Sequence, residues 1–295
     1  MSRTIDEEYL ELFFDELLSE KEVPYRALKA LFGYLRGVFD KSIRDGLIES
    51  NPCLKIDLPL YKRRCKQAIV KMPEERTFSQ SEKNRLINSL NKKRKERPDD
   101  VLPYAVELAL YTGMRVGELS GLMWNDIDEV NKRIIIRHSE KLNRLTNTFY
   151  ISTPKNGKTR IIEPAPFVME VLKKHRADQQ AQKKRARDLW NEGEFPNLVF
   201  THADGSHLNQ WFVCRTFQSY LAKAGLPRHR MHDLRHTFAV NSIMAGDDIK
   251  TLQENMGHYS AAFTLDRYGH VTPTMRRESA NRMQAFISNL TTESG

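Results

Sequence analysis

Between Lys132 and Ile162 the helical rhythm that marks most of this 295-residue chain gives way to β-prone runs. Lys132–His138 is rich in isoleucine. Thr148–Ser152 and Arg160–Ile162 flank the pentapeptide Pro154-Lys155-Asn156-Gly157-Lys158. Asn-Gly between β-prone runs favours a tight reversal, because both residues tolerate the positive φ that such turns need. The expectation is a three-stranded antiparallel sheet with a lysine-bearing hairpin tip, set among helices. The fold class is therefore mainly α with a small antiparallel β-sheet.

Ahead of the sheet the chain divides. Leu10, Phe13, Phe14, Leu17 and Leu18 fall at helical spacing over Asp6–Leu18, and Leu28, Leu31, Phe32, Leu35, Phe39 and Ile43 continue the rhythm from Pro24 to Gly46. Asn51-Pro52 ends it, since the residue before proline is pushed out of the α region. Two helices make a thin core, so residues 1–53 read as part of a larger helical domain or as leaning on the next segment of the chain. Leu54–Pro73 has no periodicity, one acid (Asp57) and the cations Lys62, Arg63, Arg64, Lys66 and Lys71. Residues 54–76 are expected to be a basic linker, either following a phosphate backbone or serving as a plain tether. Residues 77–295 form the expected second domain. It opens on the capping-box pattern Ser79-Gln80-Ser81-Glu82. Helices are expected to about Lys93, over Val101–Tyr111 and Arg115–Leu122, from Pro166 to about Lys184, and near 212–224, 232–245, 248–256, 260–267 and 273–290. Asn197–Thr201 reads as a short strand.

Composition narrows the partners. No apolar run approaches the ~20 residues of a membrane span, and the polar, acidic first ten residues are no signal peptide. A cytoplasmic location and no membrane partner are expected. The net charge of +9 favours nucleic acid. Cys53, Cys65 and Cys214 have neither disulfide nor metal-ligand spacing, so neither metal nor cofactor is expected.

Several residues have chemistry in reach. His232 and Arg235 share a helix face at i and i+3. An arginine fork fits phosphate oxygens, and a histidine can exchange a proton near neutral pH. Arg115 follows the stop Thr112-Gly113 at a helix start, where free N–H groups favour anions. It could equally pair with Glu118, or Glu118 could orient it. Lys155 sits at the hairpin tip with Lys158 and Arg160 as near rivals, and could serve a leaving oxygen or simply be solvated. His258 follows Gly257, a plausible helix stop, and Tyr268 comes ten residues later. On the second N-terminal helix, Arg26, Lys29 and Arg36 form either a solvated face or a DNA-facing one.

Thr112-Gly113-Met114-Arg115-Val116-Gly117-Glu118-Leu119, Pro154–Arg160, His232-Asp233-Leu234-Arg235-His236-Thr237-Phe238-Ala239, Met256-Gly257-His258 and Asp266-Arg267-Tyr268-Gly269-His270-Val271 occur in that order. In this arrangement the chain resembles the tyrosine recombinases, the phage integrase family, over about 78–285. The Gly-His-to-Tyr spacing is one residue longer than the family's usual one, which makes it most like the integrases of conjugative transposons. Residues 5–53 resemble the later helices of the family's core-binding domain, so that domain is expected to be partial.

The resemblance implies a helical DNA-binding domain followed by a tyrosine-recombinase catalytic domain. Tyr268 would attack the scissile phosphate and form a 3′-phosphotyrosine link. Arg115 and Arg235 would clamp the phosphate, His232 would accept the phenol proton, Lys155 would protonate the leaving 5′-oxygen, and His258 would hydrogen-bond the phosphate, with Glu118 behind Arg115. Arg26, Lys29, Arg36, Lys62, Arg63, Arg64, Lys158 and Arg160 would face DNA. The implied partners are double-stranded recombination sites, a homotetramer assembled on DNA from monomers or weak oligomers, and an accessory DNA-bending or excision factor. The C-terminal helix, with Met283, Phe286 and Ile287, would dock on a neighbouring subunit or on its own domain. The alternatives are a type IB topoisomerase-like nicking and resealing enzyme and a non-catalytic DNA-binding relative.

Overall fold

A computed structural model describes residues 5–66, 76–154, 157–257 and four later positions, Asn281, Met283, Gln284 and Ile287. The chain separates into two units, Met1–Val70 and Lys71–Gly295.

In the first unit, α1 (Glu7–Glu20) begins where the Asp6 carboxylate accepts the Tyr9 N–H at 2.9 Å. Pro24 stands just before α2 (Tyr25–Arg44) rather than within its first turn. Leu10 and Phe14 of α1 meet Leu28 of α2 in a core that Cys53, Ile56, Leu58, Tyr61 and Cys65 complete. The stretch without helical periodicity is therefore packed as far as Lys66. It forms 3-10 turns at Pro52–Leu54 and Leu58–Arg63, whose three-residue period escapes a search for helices of 3.6. Asn51 pins the first of these turns. Its Oδ1 accepts the Cys53 N–H at 2.9 Å, and its Nδ2 donates to Asp40 at 2.6 Å and to the Arg36 carbonyl at 3.1 Å.

In the second unit, the Ser79–Glu82 capping box starts α3 (Gln80–Glu96). The next helix, α4 (Leu102–Thr112), is apolar nearly all round and runs through the centre. Around it lie Leu86 and Leu90 of α3, Val168 and Leu172 of α6 (Pro166–Ala186), Phe217 and Leu221 of α7 (Gln210–Lys223), and Leu234 of α8 (Met231–Ala245). The far half of α8 packs through Ala239 and Ile243 on Leu252 and Met256 of α9 (Ile249–Met256). Residues 260–267 lie outside the described residues. Within 273–290 the four described positions are helical, with Met283 and Ile287 exposed and Phe286 undescribed.

The sheet differs from the expected one. Two small antiparallel sheets are present among the described residues. β1 (Ile127–Asp128), β2 (Arg133–Ile136) and β5 (Arg160–Ile162) form one, in the order β1-β2-β5; β3 (Ser139–Asn143) and β4 (Thr148–Ser152) form the other. Ile134 faces Ile162 across β2 and β5, while Glu140 faces Ile151 across β3 and β4. The expected β4–β5 hairpin does not form, because the tight reversal lies earlier. The Asn143 side chain accepts the Leu145 N–H at 3.0 Å, and Asn147 takes φ 56°. The Pro154–Gly157 turn does close, with Gly157 N–H on the Pro154 carbonyl at 2.8 Å, but it delivers β5 to β2. In the expected strand Asn197–Thr201, Asn197 is exposed and Leu198–Thr201 is buried, with bridges only at Leu198 and Thr201.

On α6 the buried His175 ring stacks between Tyr104 (4.8 Å) and Phe200 (5.1 Å) and donates from Nε2 to the Val199 carbonyl at 2.6 Å. Burial pushes its pKa from 6.5 down to about 4. The fold thus favours the neutral ring. That contribution is complete above pH 6.5 and is lost as pH falls through 4, a change of about 3 kcal/mol. Denaturant titrations at pH 7 and pH 4 should therefore show the wild type losing about that much more stability than His175→Phe. Equal losses in the two proteins would show that the ring is not held neutral.

Candidate active site

Two helix ends frame the site. α4 stops at Gly113 with φ 64°, and α9 stops at Gly257 with φ 63°. Both positions are left-handed, and both are crowded. A Cβ on Gly113 would stand 2.5 Å from the Phe238 ring, and one on Gly257 would stand 2.9 Å from Arg160 Cδ. The last carbonyls of a helix carry the negative end of its dipole and lack intrahelical partners. Here arginines meet them.

Arg235, on the inner face of α8, is 2% exposed. Its Nη1 donates to the Gly113 carbonyl at 2.5 Å and its Nη2 to the Met256 carbonyl at 2.6 Å, so one guanidinium joins the ends of α4 and α9. Arg115 lies immediately before α5 (Val116–Ser120). Its Nη2 reaches the Gly257 carbonyl at 3.1 Å, and its side chain is 31% exposed. His232, one turn ahead of Arg235, is at the surface, with its ring edge-on to His236 at 4.7 Å. Arg115 and Arg235 thus come together around the ends of α4 and α9, and His232 stands one turn ahead of Arg235 on α8. Lys155, His258 and Tyr268 lie outside the described residues, although Pro154 and Gly257 are the immediate chain neighbours of the first two.

Glu118 is the buried counter-charge. Its carboxylate is 1% exposed and accepts from Arg115 Nη1 at 2.8 Å and from the Arg115 backbone N–H at 2.9 Å. The backbone donor that sequence reasoning offers to a phosphate is therefore occupied by the chain's own carboxylate. Burial alone would raise the Glu118 pKa, but the hydrogen bonds and charge of Arg160, with Arg115 adding to them, overcome that and hold it at about 2.

Arg160 has partners within the protein that its sequence neighbours do not suggest. Expected to face DNA, it is 11% exposed. Nη1 and Nη2 grip both Glu118 oxygens, at 2.8 and 2.7 Å, and Nε donates to the Asn255 carbonyl at 3.0 Å. The Arg115–Glu118 pair was legible from its i, i+3 spacing. Nothing local reveals that the same carboxylate is shared by an arginine 42 residues away. The other candidate DNA contacts are at the surface. Arg26, Lys29 and Arg36 are exposed on α2, as are Lys62, Arg63 and Lys158. Arg64 is half-exposed, pairs with Asp15 at 2.5 Å and lies over the Tyr61 ring.

The pattern of the phage integrase family matches residues 76–275. A XerC-like tyrosine recombinase of Caldanaerobacter subterraneus is 27% identical over 88% of this chain and 66% of its own length. The ICEBs1 integrase of Bacillus subtilis is 26% identical over 93% of this chain and 69% of its own length. The transposase of transposon Tn916 from Enterococcus faecalis is 27% identical over 86% of this chain and 61% of its own length. The chain thus spans about two thirds of the length of these relatives. Among solved structures, a Tn1549 transposon integrase in complex with a circular intermediate DNA superposes with a TM-score of 0.68. It is 21% identical, and the match covers 95% of this chain and 86% of that one. The XerH site-specific recombinase bound to a palindromic difH substrate gives 0.60 at 20% identity, covering 95% and 73%. At these identities the structures speak for the fold alone.

Proposed function

The chain belongs to the phage integrase family, the tyrosine recombinases, and on that premise we propose that it cuts and rejoins DNA at specific sites through a covalent 3′-phosphotyrosine intermediate, integrating or excising a mobile element. The observation that supports this most is the meeting of the Arg115 and Arg235 guanidiniums around the ends of α4 and α9, with His232 one turn ahead of Arg235 on α8.

Phosphoryl transfer needs positioning and charge stabilisation above all. Two guanidiniums can bind the non-bridging oxygens as the phosphate passes through its crowded transition state. The Tyr268 oxygen bonds to phosphorus, the bond to the 5′-oxygen breaks, His232 takes the phenol proton, and Lys155 supplies one to the 5′-oxygen. His258 hydrogen-bonds the phosphate. The phosphotyrosine keeps the phosphodiester's bond energy, so a 5′-hydroxyl from a partner strand can reverse the step and exchange strands. In this reading residues 1–53 are part of a core-binding domain, 54–76 a basic segment along the phosphate backbone, and 77–295 the catalytic domain. Four copies act on two duplexes, with the C-terminal helix docking on a neighbour and an accessory bending or excision factor setting direction. The protein acts in the cytoplasm of a bacterial host.

The test traps the intermediate. Nicked suicide duplexes drawn from a library of candidate sites are incubated with the protein and run on a denaturing gel. An adduct is expected with the wild type, and none with Tyr268→Phe, while DNA retention on a native gel stays the same. A Tyr268→Phe protein that still forms the adduct would dismiss Tyr268 as the nucleophile. A two-duplex assay then separates strand exchange from simple relaxation.

A further inference from the structure

We infer that Arg160 is a positioning residue for strand cleavage, acting through Glu118 and the end of α9 rather than on DNA. The inference rests on the recombinase reading of the site.

The geometry has three parts. First, Arg160 holds both oxygens of Glu118 while Arg115 holds one of them with its side chain. One buried carboxylate thus faces two guanidiniums, and the cluster keeps a surplus positive charge. Arg160 is 11% exposed and Arg115 31%, so the surplus is presented to solvent on Arg115. Without Arg160, the Glu118 carboxylate would have Arg115 as its one guanidinium partner in the cluster. The charge that should meet a phosphate would then be cancelled within the protein. Secondly, Arg160 Nε, Arg235 Nη2 and Arg115 Nη2 take the carbonyls of Asn255, Met256 and Gly257 in turn, three successive residues that lead directly into His258. Thirdly, Arg160 opens β5, three residues after Gly157, whose N–H bonds the Pro154 carbonyl across the sequence position of Lys155. One side chain therefore ties together the chain segments carrying the proposed acid, one phosphate clamp and the proposed histidine. The fit is close enough to select a glycine, since a Cβ at 257 would meet Arg160 Cδ at 2.9 Å.

The experiment compares Arg160→Met, Arg160→Lys, Glu118→Gln and the Glu118→Gln/Arg160→Met double variant in the full chain. Adduct formation is timed on the suicide duplex at saturating protein, and affinity is measured on uncleaved duplex across salt concentrations. Arg160→Met should bind DNA within about 3-fold of wild type with an unchanged salt slope, because no phosphate contact is lost. Its cleavage rate should fall on the order of 100-fold, the scale expected when reacting groups are displaced by about an ångström. Arg160→Lys keeps the charge but cannot span both carboxylate oxygens and the Asn255 carbonyl, so it should lose roughly 10-fold in rate. It carries the test if the methionine variant does not fold. The double variant should be no slower than Arg160→Met, since the carboxylate that would cancel the charge of Arg115 is gone.

Weaker DNA binding, with a salt slope smaller by about one and a normal rate at saturation, would mark Arg160 as a phosphate contact and overturn the inference. Losses that simply add in the double variant would also overturn it. A readout without DNA separates this outcome from failure of the recombinase reading. Acid unfolding of either Arg160 variant should begin at a higher pH than in wild type, and that displacement should vanish in the Glu118→Gln background. If no adduct forms with any protein but the displacement appears, the recombinase reading fails and the Arg160–Glu118 coupling stands. If the displacement is missing, the coupling fails whatever the gels show.

Discussion

Arg235→Ala should form no detectable adduct on the suicide duplex, a loss of about 10³-fold or more, and should also unfold more readily. The two effects have one origin. The guanidinium is buried and joins the Gly113 and Met256 carbonyls, so truncation leaves two helix-end oxygens facing a hole. Each buried acceptor left without a partner costs about 1–3 kcal/mol. The rate loss comes from removing a preorganised donor from a charged transition state, which costs about 10²–10³-fold for a single donor and more for a two-pronged one. Arg235→Lys sharpens the test. Lysine keeps the charge but is a point donor, so it can meet one carbonyl well and not both. It should regain part of the stability and little of the rate. An Arg235→Ala protein that cleaves within 10-fold of wild type would remove Arg235 from the phosphate clamp.

Glu118→Ala should be the most damaging single change to the stability of the second unit. It leaves Arg115 and Arg160 facing each other with no counter-charge in a site where the carboxylate was 1% exposed. Breaking a buried ion pair from one side costs about 3–5 kcal/mol. For a unit of this size each kcal/mol lowers the melting temperature by roughly 2–4 °C, so a fall of about 10 °C is expected. Glu118→Gln should be milder, because the amide oxygen still accepts from one guanidinium. The acid limb has its source in the same group. With its pKa held at about 2 instead of 4.5, Glu118 contributes stability that is complete above pH 4.5 and is lost as pH falls through 2, about 3 kcal/mol in all. The window differs from that of His175, which closes between pH 6.5 and 4. Thermal scans of wild type and Glu118→Gln from pH 6 to pH 2 should converge at the acid end. Parallel curves would mean that the carboxylate is not depressed.

How much of this was legible in the sequence varied with the range of the interaction. Local chemistry read true. The capping box at Ser79–Glu82 marks the start of α3, and the glycines at 113 and 257 end their helices in the left-handed region. The Arg115–Glu118 pair is one helical turn apart. Strand pairing read poorly, because β3, with the sequence Ser-Glu-Lys-Leu-Asn, has almost no β-prone residues. What holds it is non-local. The Glu140 carboxylate is buried and accepts the Gln210 N–H at the start of α7, 70 residues away. Gly117 and Gly121 of the α5 segment also lie directly against residues 139 and 140, where a Cβ would come within 2.8 and 3.0 Å. Once β3 claims β4, β5 is left to β2. The partners of Arg160 were not legible for the same reason. Its neighbours in sequence are lysines and a turn, which suggest a surface, whereas its partners, Glu118 and Asn255, come from elsewhere in the chain.

The three consecutive carbonyls at the end of α9 have a consequence for how such a protein can diversify. Asn255, Met256 and Gly257 are each held by a different arginine, from β5, α8 and the α4–α5 junction. The last turn before His258 is thus fastened by residues that all precede it in the chain. Three separate parts of the chain therefore set the position of one helical turn, and substitutions that shift it can arise in any of them.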